Sequence, residues 1–350
     1  MSVKKKLIVY GVYGLIRVDE RIWRGSKGSY QRLLPSVLGV THRGCTHSLQ
    51  GAMSDFGLDE SFCKAAAKIK EHYGFEVPVS SLRNHCIGNA TRIARQGMEL
   101  GTSGNALAAK GVQRLVAQAD GSMVAMVRFD GKQCDQRRNR KVDYHEVRLC
   151  ACRAEGSAQT IYRAAIAQPD EIGRLWNECA KQAGRGLDTF VHVVGDGATW
   201  IDQQARRQLQ CNRSLVDFFH VCEYLKGAEL PCAGNKHWFA TQKNRLLRNR
   251  SDLVLQALGD HLESKSVPDQ EAPVRCAHRY LNNRLHCLDY KGSLLDNLPI
   301  GSGLIESGHK HVVQARMKIA GAAWLPATAD AFIQVRAHRA SLLWDCFWKN

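Results

Sequence analysis

Three acidic residues stand at positions of this 350-residue chain where a carboxylate can meet a metal ion. Asp120 ends the apolar segment RLVAQAD, Asp196 ends the apolar segment TFVHVVGD, and Glu306 opens a helical segment after Gly-Ser-Gly. Acids at the ends of neighbouring parallel strands project into the same crevice, and a carboxylate on the first turn of an adjacent helix can complete the cluster. Such a set of hard oxygen ligands suits Mg²⁺ or Mn²⁺.

The chemistry that this set predicts is in-line displacement at phosphorus. Two ions about 4 Å apart activate a water or hydroxyl and neutralise the leaving oxygen. Each acid alone has a plainer explanation: Asp120 as a turn residue, Asp196 as a helix N-cap, and Glu306 as an acid near the positive end of its helix, paired with Lys310. Their joint placement is what favours a catalytic and metal-binding role for all three acids.

The composition supports a polyanionic partner. The formal net charge is +16, which favours nucleic acid first and an acidic membrane surface second. No apolar run approaches the roughly 20 residues that a membrane span needs. The N-terminus begins with basic residues like a signal peptide, but glycines and Arg17 interrupt its apolar stretch, so we interpret it as strand.

The cysteines indicate a reducing compartment. There are 13, an odd number, with a single C-x-C and no C-x-x-C pair, so a zinc ribbon or finger is not predicted. Reduced thiols in a cytoplasmic protein are the expected state. Cys276, His278, His286 and Cys287 have the side chains of metal ligands, but their spacing fits no zinc finger.

The segment from 45 to 100 has the pattern of a helix-turn-helix. One predicted helix ends at Gly74, and a second begins at Ser80 or Ser81. Residues Leu82, Cys86 or Ile87, and Ile93 should face inward. The candidates for contact with a DNA groove are Arg83, Asn84 and His85. An ordinary helical hairpin with a polar outer face is the alternative.

The remaining pattern predicts an α/β fold, with helices packed on a mixed sheet. Residues 1–44 are expected to form short strands and turns, and the Gly-, Ser- and Ala-rich residues 97–112 a linker. Two strands joined by a tight turn at Gly121-Ser122, and then a third, should follow residue 113. Helices and strands alternate up to residue 226, and residues 227–299 are predicted to be helical and basic.

Four stretches carry a resemblance to a known family: ADGSMV, VVGDGATWI, LVDFFHVCEYL and GSGLIESGHKHVVQARMKIAGAAW. With them the chain resembles bacterial insertion-sequence transposases of the DDE type, in particular the ISKra-type group, which is distantly related to Mutator-like transposases. The resemblance covers most of residues 45–345. It implies an RNase H-like catalytic core at 113–226 and 300–350, interrupted by an all-α insertion at 227–299.

The resemblance also implies roles for single residues. Asp120, Asp196 and Glu306 become the catalytic acids that bind two Mg²⁺ or Mn²⁺ ions. Asp217 and His220 match a supporting Asp-x-x-His element, in which His220 would contact DNA or position an acid; a satisfied histidine at a strand-to-helix junction is the alternative. The residues implied in DNA contact are His309, Lys310, Arg316 and Lys318 at phosphates and Trp324 at an unpaired base; a solvated basic face and core packing are the respective alternatives.

The implied function is that of a transposase, which binds the ends of its insertion sequence and catalyses metal-dependent strand cleavage and strand transfer. Its partners would be double-stranded DNA, both inverted-repeat ends and target, and further copies of itself in a homodimer or larger synaptic assembly. No membrane is expected, and the location would be the bacterial cytoplasm, at the nucleoid.

Some features depart from the family pattern. The first acid lacks the usual Pro-bearing turn after it, and residues 1–44 lack the paired cysteines of some relatives. Another RNase H-like nuclease and a non-catalytic DNA-binding regulator therefore stay open. A serine or cysteine enzyme is remote, because Ser302 and Ser307 near His309 lie in no Gly-x-Ser-x-Gly elbow.

Overall fold

The computed structural model describes residues 2–24, 30–37, 40, 43–101, 106–129, 139–232 and 237–348. The chain divides into two compact units. The first comprises residues 1–103, 124–145 and 312–350, and the second comprises residues 104–123 and 146–311. Among the described residues, no helix has the length and apolar character needed to cross a membrane.

Strands and helices are numbered in chain order. The strands are β1 (Ser2–Gly11), β2 (Gly14–Arg24), β3 (Tyr30–Arg32), β4 (Arg114–Phe129), β5 (Arg140–Ala154), β6 (Ile161–Ala165), β7 (Phe190–Gly195) and β8 (Arg213–Val216). The helices are α1 (Leu33–Val37), α2 (His47–Asp59), α3 (Phe62–Tyr73), α4 (Val79–Gly101), α5 (Pro169–Gln182), α6 (Thr199–Gln204), α7 (Phe218–Cys232), α8 (Trp238–Leu247), α9 (Ser251–Gly259), α10 (Pro273–Asn282), α11 (Tyr290–Leu295), α12 (Gly303–Gly308), α13 (Ala315–Met317) and α14 (Pro326–Ala340). A π-helical segment, His309–Gln314, follows α12.

The first unit contains the antiparallel sheet β1-β2-β3 and a group of packed helices. In α4, Leu82, Cys86 and Ile93 are buried, which confirms the predicted inward face. Their spacing of four and seven residues places them on one side of a 3.6-residue helix. Ser61 caps α3 by accepting a hydrogen bond from the backbone N–H of Lys64, at 3.4 Å.

The end of α4 differs from the sequence prediction. The helix continues to Gly101, whereas a linker was expected from residue 97. A Cβ at Gly97 would collide with the imidazole of His338 on α14. Gly97 is therefore a position where two helices approach closely, and a glycine in that role looks like a linker residue in sequence.

Two glycines of the first unit give a matched test of this packing. A Cβ at Gly57 on α2 would overlap the Cys86 sulfur, whereas a Cβ at Gly88 on α4 meets no atom within 4 Å. We expect Gly57→Ala to lower the free energy of unfolding by about 1–3 kcal/mol through overpacking. Gly88→Ala should raise it by about 0.5–1 kcal/mol, because alanine favours the helix. Chemical denaturation of both variants measures the difference; equal effects would contradict the α2–α4 contact.

The second unit is organised on a five-stranded sheet of order β6-β5-β4-β7-β8. Strands β4, β7 and β8 are parallel, and β5 and β6 are antiparallel. On one face, alternate β4 residues Leu115, Ala117 and Ala119 pack with Trp176 of α5. On the other face, Val194 and Leu215 belong to a hydrophobic core shared with α7 to α11. This core includes Phe218 and Tyr290. A mixed sheet with helices on both faces is compatible with an RNase H-like fold.

The tight turn predicted at Gly121-Ser122 is wrong. Strand β4 runs without interruption from Arg114 to Phe129, so Asp120 lies in mid-strand. A Cβ at Gly121 would collide with the carboxylate of Glu146. The glycine therefore makes room for a side chain on β5, and the Gly-Ser pair has no turn to form.

Candidate active site in the second unit

The sheet register brings the first two predicted acids to the same level. Gln118 of β4 pairs with Val194 of β7, and the same register extended by two residues aligns Asp120 with Asp196. Asp120 lies on β4 and Asp196 directly follows β7, and these neighbouring parallel strands are about 4.8 Å apart. Because the side chains of paired residues point to the same face, both carboxylates project from the face opposite Trp176.

A third aspartate, Asp217, is aligned with these two, and we call Asp120, Asp196 and Asp217 the aspartate row. Gly195 of β7 pairs with Val216 of β8, so the next residues, Asp196 and Asp217, are neighbours at the strand ends. The backbone N–H of Asp217 donates to the Gly195 carbonyl at 2.7 Å, which closes the ladder at that point. Asp120 on β4 and the residues directly after β7 and β8 are thus aligned at the level where β7 and β8 end, and ligands bind at the carboxyl ends of strands in open α/β sheets.

Gln118 fixes the helix of Glu306 on strand β4. Its amide nitrogen donates to the Gly301 carbonyl at 3.1 Å, and its amide oxygen accepts from the Ile305 backbone N–H at 2.9 Å. The side chain is buried, and both its polar ends are satisfied. Since Gln118 precedes Asp120 by two residues on the same face, the contacts hold the N-terminus of α12 beside the aspartate row, with Glu306 exposed next to Ile305.

His309 lies next to the first acid. Its Nε2 is 3.3 Å from Oδ2 of Asp120, and its side chain is 5% exposed. Both buried ring nitrogens make no hydrogen bond within the described part of the chain. This position corrects the predicted phosphate contact: in this arrangement His309 faces the Asp120 carboxylate and has little surface for DNA. Asp120 itself accepts from the Gly121 N–H at 2.7 Å.

Two residues on and just after α10 form hydrogen bonds with the loop at Asp196. The Tyr280 hydroxyl donates to the Asp196 carbonyl, and Nε of Arg284 donates to the Gly197 carbonyl at 2.7 Å. Gly197 has φ +82, a left-handed conformation that favours glycine. Oδ1 of Asp196 accepts from the Ala198 N–H at 2.8 Å, so the carboxylate also stabilises its own turn.

Asp217 connects two helices to the site. Its Oδ1 accepts from the backbone N–H groups of Phe219 and His220, at 2.6 and 3.2 Å, and so caps α7. Its Oδ2 accepts from the backbone N–H of Ser302 at 2.6 Å and from the Ser302 hydroxyl. Ser302 Oγ also lies 3.2 Å from Oε1 of Glu306. With 2% exposure and four donors, Asp217 is a positioning residue that orders the start of α12.

His220 occupies the junction between Asp217 and the Asp196 loop. Its Nδ1 lies 3.2 Å from Oε2 of Glu223, and its ring meets Tyr280 edge-on at a centroid distance of 5.7 Å. Tyr280 is the residue that binds the Asp196 carbonyl. His220 therefore contacts the tyrosine that binds the backbone of Asp196.

The three predicted catalytic acids do not form a site for a single metal ion. Within the described ranges, the ligand atoms of Asp120, Asp196 and Glu306 do not constitute a group lying within 4.8 Å of one another. A two-ion centre spreads its ligands further, because the ions themselves are about 3.5–4 Å apart. The half-exposed Asp120 and Asp196 and the exposed Glu306 supply the carboxylate oxygens that Mg²⁺ prefers.

Other predicted DNA contacts lie in the first unit and differ in exposure. Arg83 and Asn84 are exposed on α4, while His85 is half-buried and burial lowers its pKa. Lys318 is exposed as well. Lys310, in the second unit, is also exposed, so Lys310 and Lys318 remain candidates for phosphate contact and Arg83 and Asn84 for groove contact.

Arg316 and Trp324 correct the sequence prediction because both are buried. The Arg316 guanidinium lies 4.5 Å from the Trp324 ring centroid and 5.0 Å from that of Phe62, and its Nε donates to the Gly57 carbonyl at 3.1 Å. Desolvation lowers the pKa of Arg316 to about 10. Trp324 also packs on Phe332, at 5.2 Å between centroids. In this structure the pair packs the interior of its unit and presents little surface to a base or phosphate.

A buried histidine in β7 predicts a pH dependence of stability. His192 is fully buried, and its Nε2 lies 2.8 Å from the Pro299 carbonyl, so we assign the proton to Nε2. Burial lowers the pKa of His192 below the ordinary value of 6.5, so the folded chain keeps the ring neutral. The unfolded chain takes up a proton below that value, and the free energy of unfolding should fall as pH decreases through 6.5, by up to about 1.4 kcal/mol per pH unit.

Denaturant unfolding between about pH 7.5 and 5.5 measures this effect. His192→Gln keeps a donor for the Pro299 carbonyl and removes the titrating ring, so its stability should vary less over the same range. A variant with the pH dependence of the wild-type chain would show that other groups cause it.

Comparisons with known proteins add little. No protein-family model matches the chain, and a search of curated proteins finds no match. Among solved structures, the Drosophila P element transposase strand transfer complex matches with 12% identity and a TM-score of 0.29, over 86% of this chain and 79% of that chain. At that TM-score the likeness supports no argument about fold or function.

Residue-level reasoning from sequence missed four residues that hold the site: Gln118, Tyr280, Arg284 and Ser302. One of them carried a signal. Gln118 is a polar residue in an apolar strand, two positions before an acid, where the period of two places both on one face. The other three act through contacts that join distant parts of the chain, and no local pattern marks them.

Proposed function

We propose that the chain is a DNA transposase whose second unit cleaves and rejoins phosphodiester bonds. The observation that carries the proposal is the alignment of the acids at one end of the sheet. The register of β4 and β7 aligns Asp120 with Asp196. The two hydrogen bonds of Gln118 hold the start of α12, and hence Glu306, at the same end. Three acids from distant chain positions on rigid elements are what a phosphoryl-transfer centre requires.

Each residue of the site has a distinct task in this proposal. Asp120 and Asp196 supply carboxylate oxygens at the level where β7 ends, and within the described part of the chain no Lys or Arg forms an ion pair with either. Glu306 supplies a third carboxylate from the first turn of α12. Asp217 and Ser302 orient that turn, and Tyr280 and Arg284 fix the Asp196 loop.

Divalent ions would be held by Asp120, Asp196 and Glu306 and would supply an activated nucleophile and charge neutralisation at the leaving oxygen. The donor set fits Mg²⁺ or Mn²⁺, because it consists of carboxylate oxygens. The carboxylates that remain partly exposed leave room for the water ligands that Mg²⁺ retains.

The proposed substrate is double-stranded DNA. A net charge of +16 gives a large electrostatic attraction for the phosphate backbone, which should weaken steeply with salt. The exposed Arg83 and Asn84 on α4 are the proposed groove contacts, and Lys310 and Lys318 the proposed phosphate contacts. Two ends must be cut and joined together, so we propose a dimer or larger assembly on DNA.

Two other functions fit part of the structure. A nuclease with the same acids but without end recognition would cleave DNA and leave no joined product. A regulator derived from a transposase would bind DNA through its basic surface and show no dependence on Asp120, Asp196 or Glu306.

One assay separates these three functions. The full chain is incubated with Mg²⁺ and with DNA that carries the reading frame and its flanks on both sides, and both cut and joined products are quantified. Joined products that begin at fixed positions flanking the frame support a transposase. Cutting without joining supports the nuclease, and binding without either supports the regulator. Inverted repeats at the same fixed positions would be an independent sign.

A further inference from the structure

A second set of metal-ligand side chains lies away from the aspartate row. Asp202 is on α6, and His286 and Cys287 are on the short 3₁₀ turn Leu285–Cys287. One ligand atom from each lies within 4.8 Å of the others. These three residues have no part in the proposed cleavage chemistry.

We propose that Asp202, His286 and Cys287 bind one transition-metal ion with tetrahedral geometry, such as Zn²⁺. The ligand types are a thiolate, an imidazole and a carboxylate, which together prefer Zn²⁺ to Mg²⁺. The site is thus chemically distinct from a cluster of carboxylates.

The distances match the edges of a zinc tetrahedron. Bonds of about 2.0 Å to nitrogen and oxygen and about 2.3 Å to sulfur set an N···O edge of about 3.3 Å and an S···O edge of about 3.5 Å. His286 Nε2 lies 3.3 Å from Asp202 Oδ2, and Cys287 Sγ lies 3.6 Å from Asp202 Oδ1. Because these two distances end on different oxygens of the Asp202 carboxylate, a rotation of that carboxylate is needed to bring one oxygen to both partners.

The surroundings leave a fourth position open. A cleft of about 270 Å³ is lined by all three residues, and its wall continues to Gly197 and Ala198 beside the second acid. A water molecule from the cleft can complete the tetrahedron. Cys287 itself is 3% exposed, so its sulfur faces the site rather than bulk solvent.

The arrangement differs from that of a cysteine nucleophile. A nucleophilic set needs the imidazole between the thiol and the carboxylate. Here the carboxylate of Asp202 contacts both the imidazole and the thiol. Asp202 Oδ2 also accepts from Nε of Arg206 at 3.0 Å, which is an outer contact on the carboxylate that would bind the ion.

The ion would have a structural effect close to the Asp196 loop. Its ligands join α6, which follows that loop, to the turn that follows α10. Arg284, directly before this turn, already binds the Gly197 carbonyl. A bound ion would therefore stiffen the contact between the helical segment and the loop of the second acid.

Cobalt titration tests the site directly. The full chain, stripped of metal by a chelator, is titrated with Co²⁺ and then with Zn²⁺. We expect the thiolate charge-transfer band and the visible bands of a tetrahedral ion to saturate at one Co²⁺ per chain, and Zn²⁺ to abolish them by displacement. The melting temperature should rise with Zn²⁺ concentration. A chain that shows no stoichiometric Co²⁺ band would overturn the proposal.

Variants locate the ion. Cys287→Ser should abolish the charge-transfer band, and His286→Ala or Asp202→Asn should weaken Co²⁺ binding at least about 10-fold. The matched controls are Cys276→Ser and His278→Ala, the neighbouring cysteine and histidine on α10, which should bind Co²⁺ like the wild-type chain. Loss of the band in these controls, or its retention in Cys287→Ser, would place the ion elsewhere.

Discussion

Replacing any one of the three acids should abolish strand cleavage. We expect Asp120→Asn, Asp196→Asn and Glu306→Gln each to reduce the cleavage rate by about 10³-fold or more, because each removes a charge that stabilises the transition state. Each substitution keeps the side-chain size, so the fold and DNA binding should persist. Rates from gel-resolved products and gel-shift binding measure the two effects separately.

Controls for this result come from the same unit. Asp260, directly after α9, and Glu171, on α5, are exposed acids away from the aspartate row in sequence and topology. Asp260→Asn and Glu171→Gln should cleave at the wild-type rate. Unchanged cleavage by Glu306→Gln would exclude the role of Glu306, and unchanged cleavage by all three variants would favour the DNA-binding regulator.

Replacing Asp217 should have the largest effect on stability. Its carboxylate accepts from three backbone N–H groups and one hydroxyl while it is 2% exposed. Asp217→Ala leaves those donors unpaired in the interior, and we expect the free energy of unfolding to fall by about 3 kcal/mol or more. Asp217→Asn keeps one acceptor oxygen and should cost roughly half as much.

Ser302→Ala separates positioning from stability. It keeps the backbone N–H that donates to Asp217 and removes only the hydroxyl, which contacts both Asp217 and Glu306. The expected stability loss is about 1 kcal/mol, yet cleavage should fall more than in Asp260→Asn. Chemical denaturation and cleavage rates on the same preparations give both values. A Ser302→Ala chain with normal cleavage would confine the Asp217–Ser302 pair to a structural role.

The part of the site that could be predicted from sequence is the part encoded locally. An apolar strand that ends in Asp-Gly marks Asp196, and a Gly-Ser-Gly segment before a helix marks Glu306. The inward face of α4 follows from helical periodicity, and the structure confirms it at Leu82, Cys86 and Ile93.

What sequence could not supply depends on contacts between distant residues. Gly121 looked like a turn residue, and only the neighbouring Glu146 on β5 explains why the strand continues. Arg316 looked like an exposed cation, and only the surrounding rings of Phe62 and Trp324 show that it is buried. Ser302 meets Asp217 across 85 residues, a pairing that no local pattern encodes.

The most direct test of the central claim is the location of Mn²⁺ ions by anomalous diffraction from crystals of the full chain with bound DNA. We expect ions about 3.5–4 Å apart, bound by carboxylate oxygens of Asp120, Asp196 and Glu306 at about 2.2 Å. Ions held by other residues, or a Glu306 carboxylate about 10 Å or more from both aspartates in that complex, would contradict it.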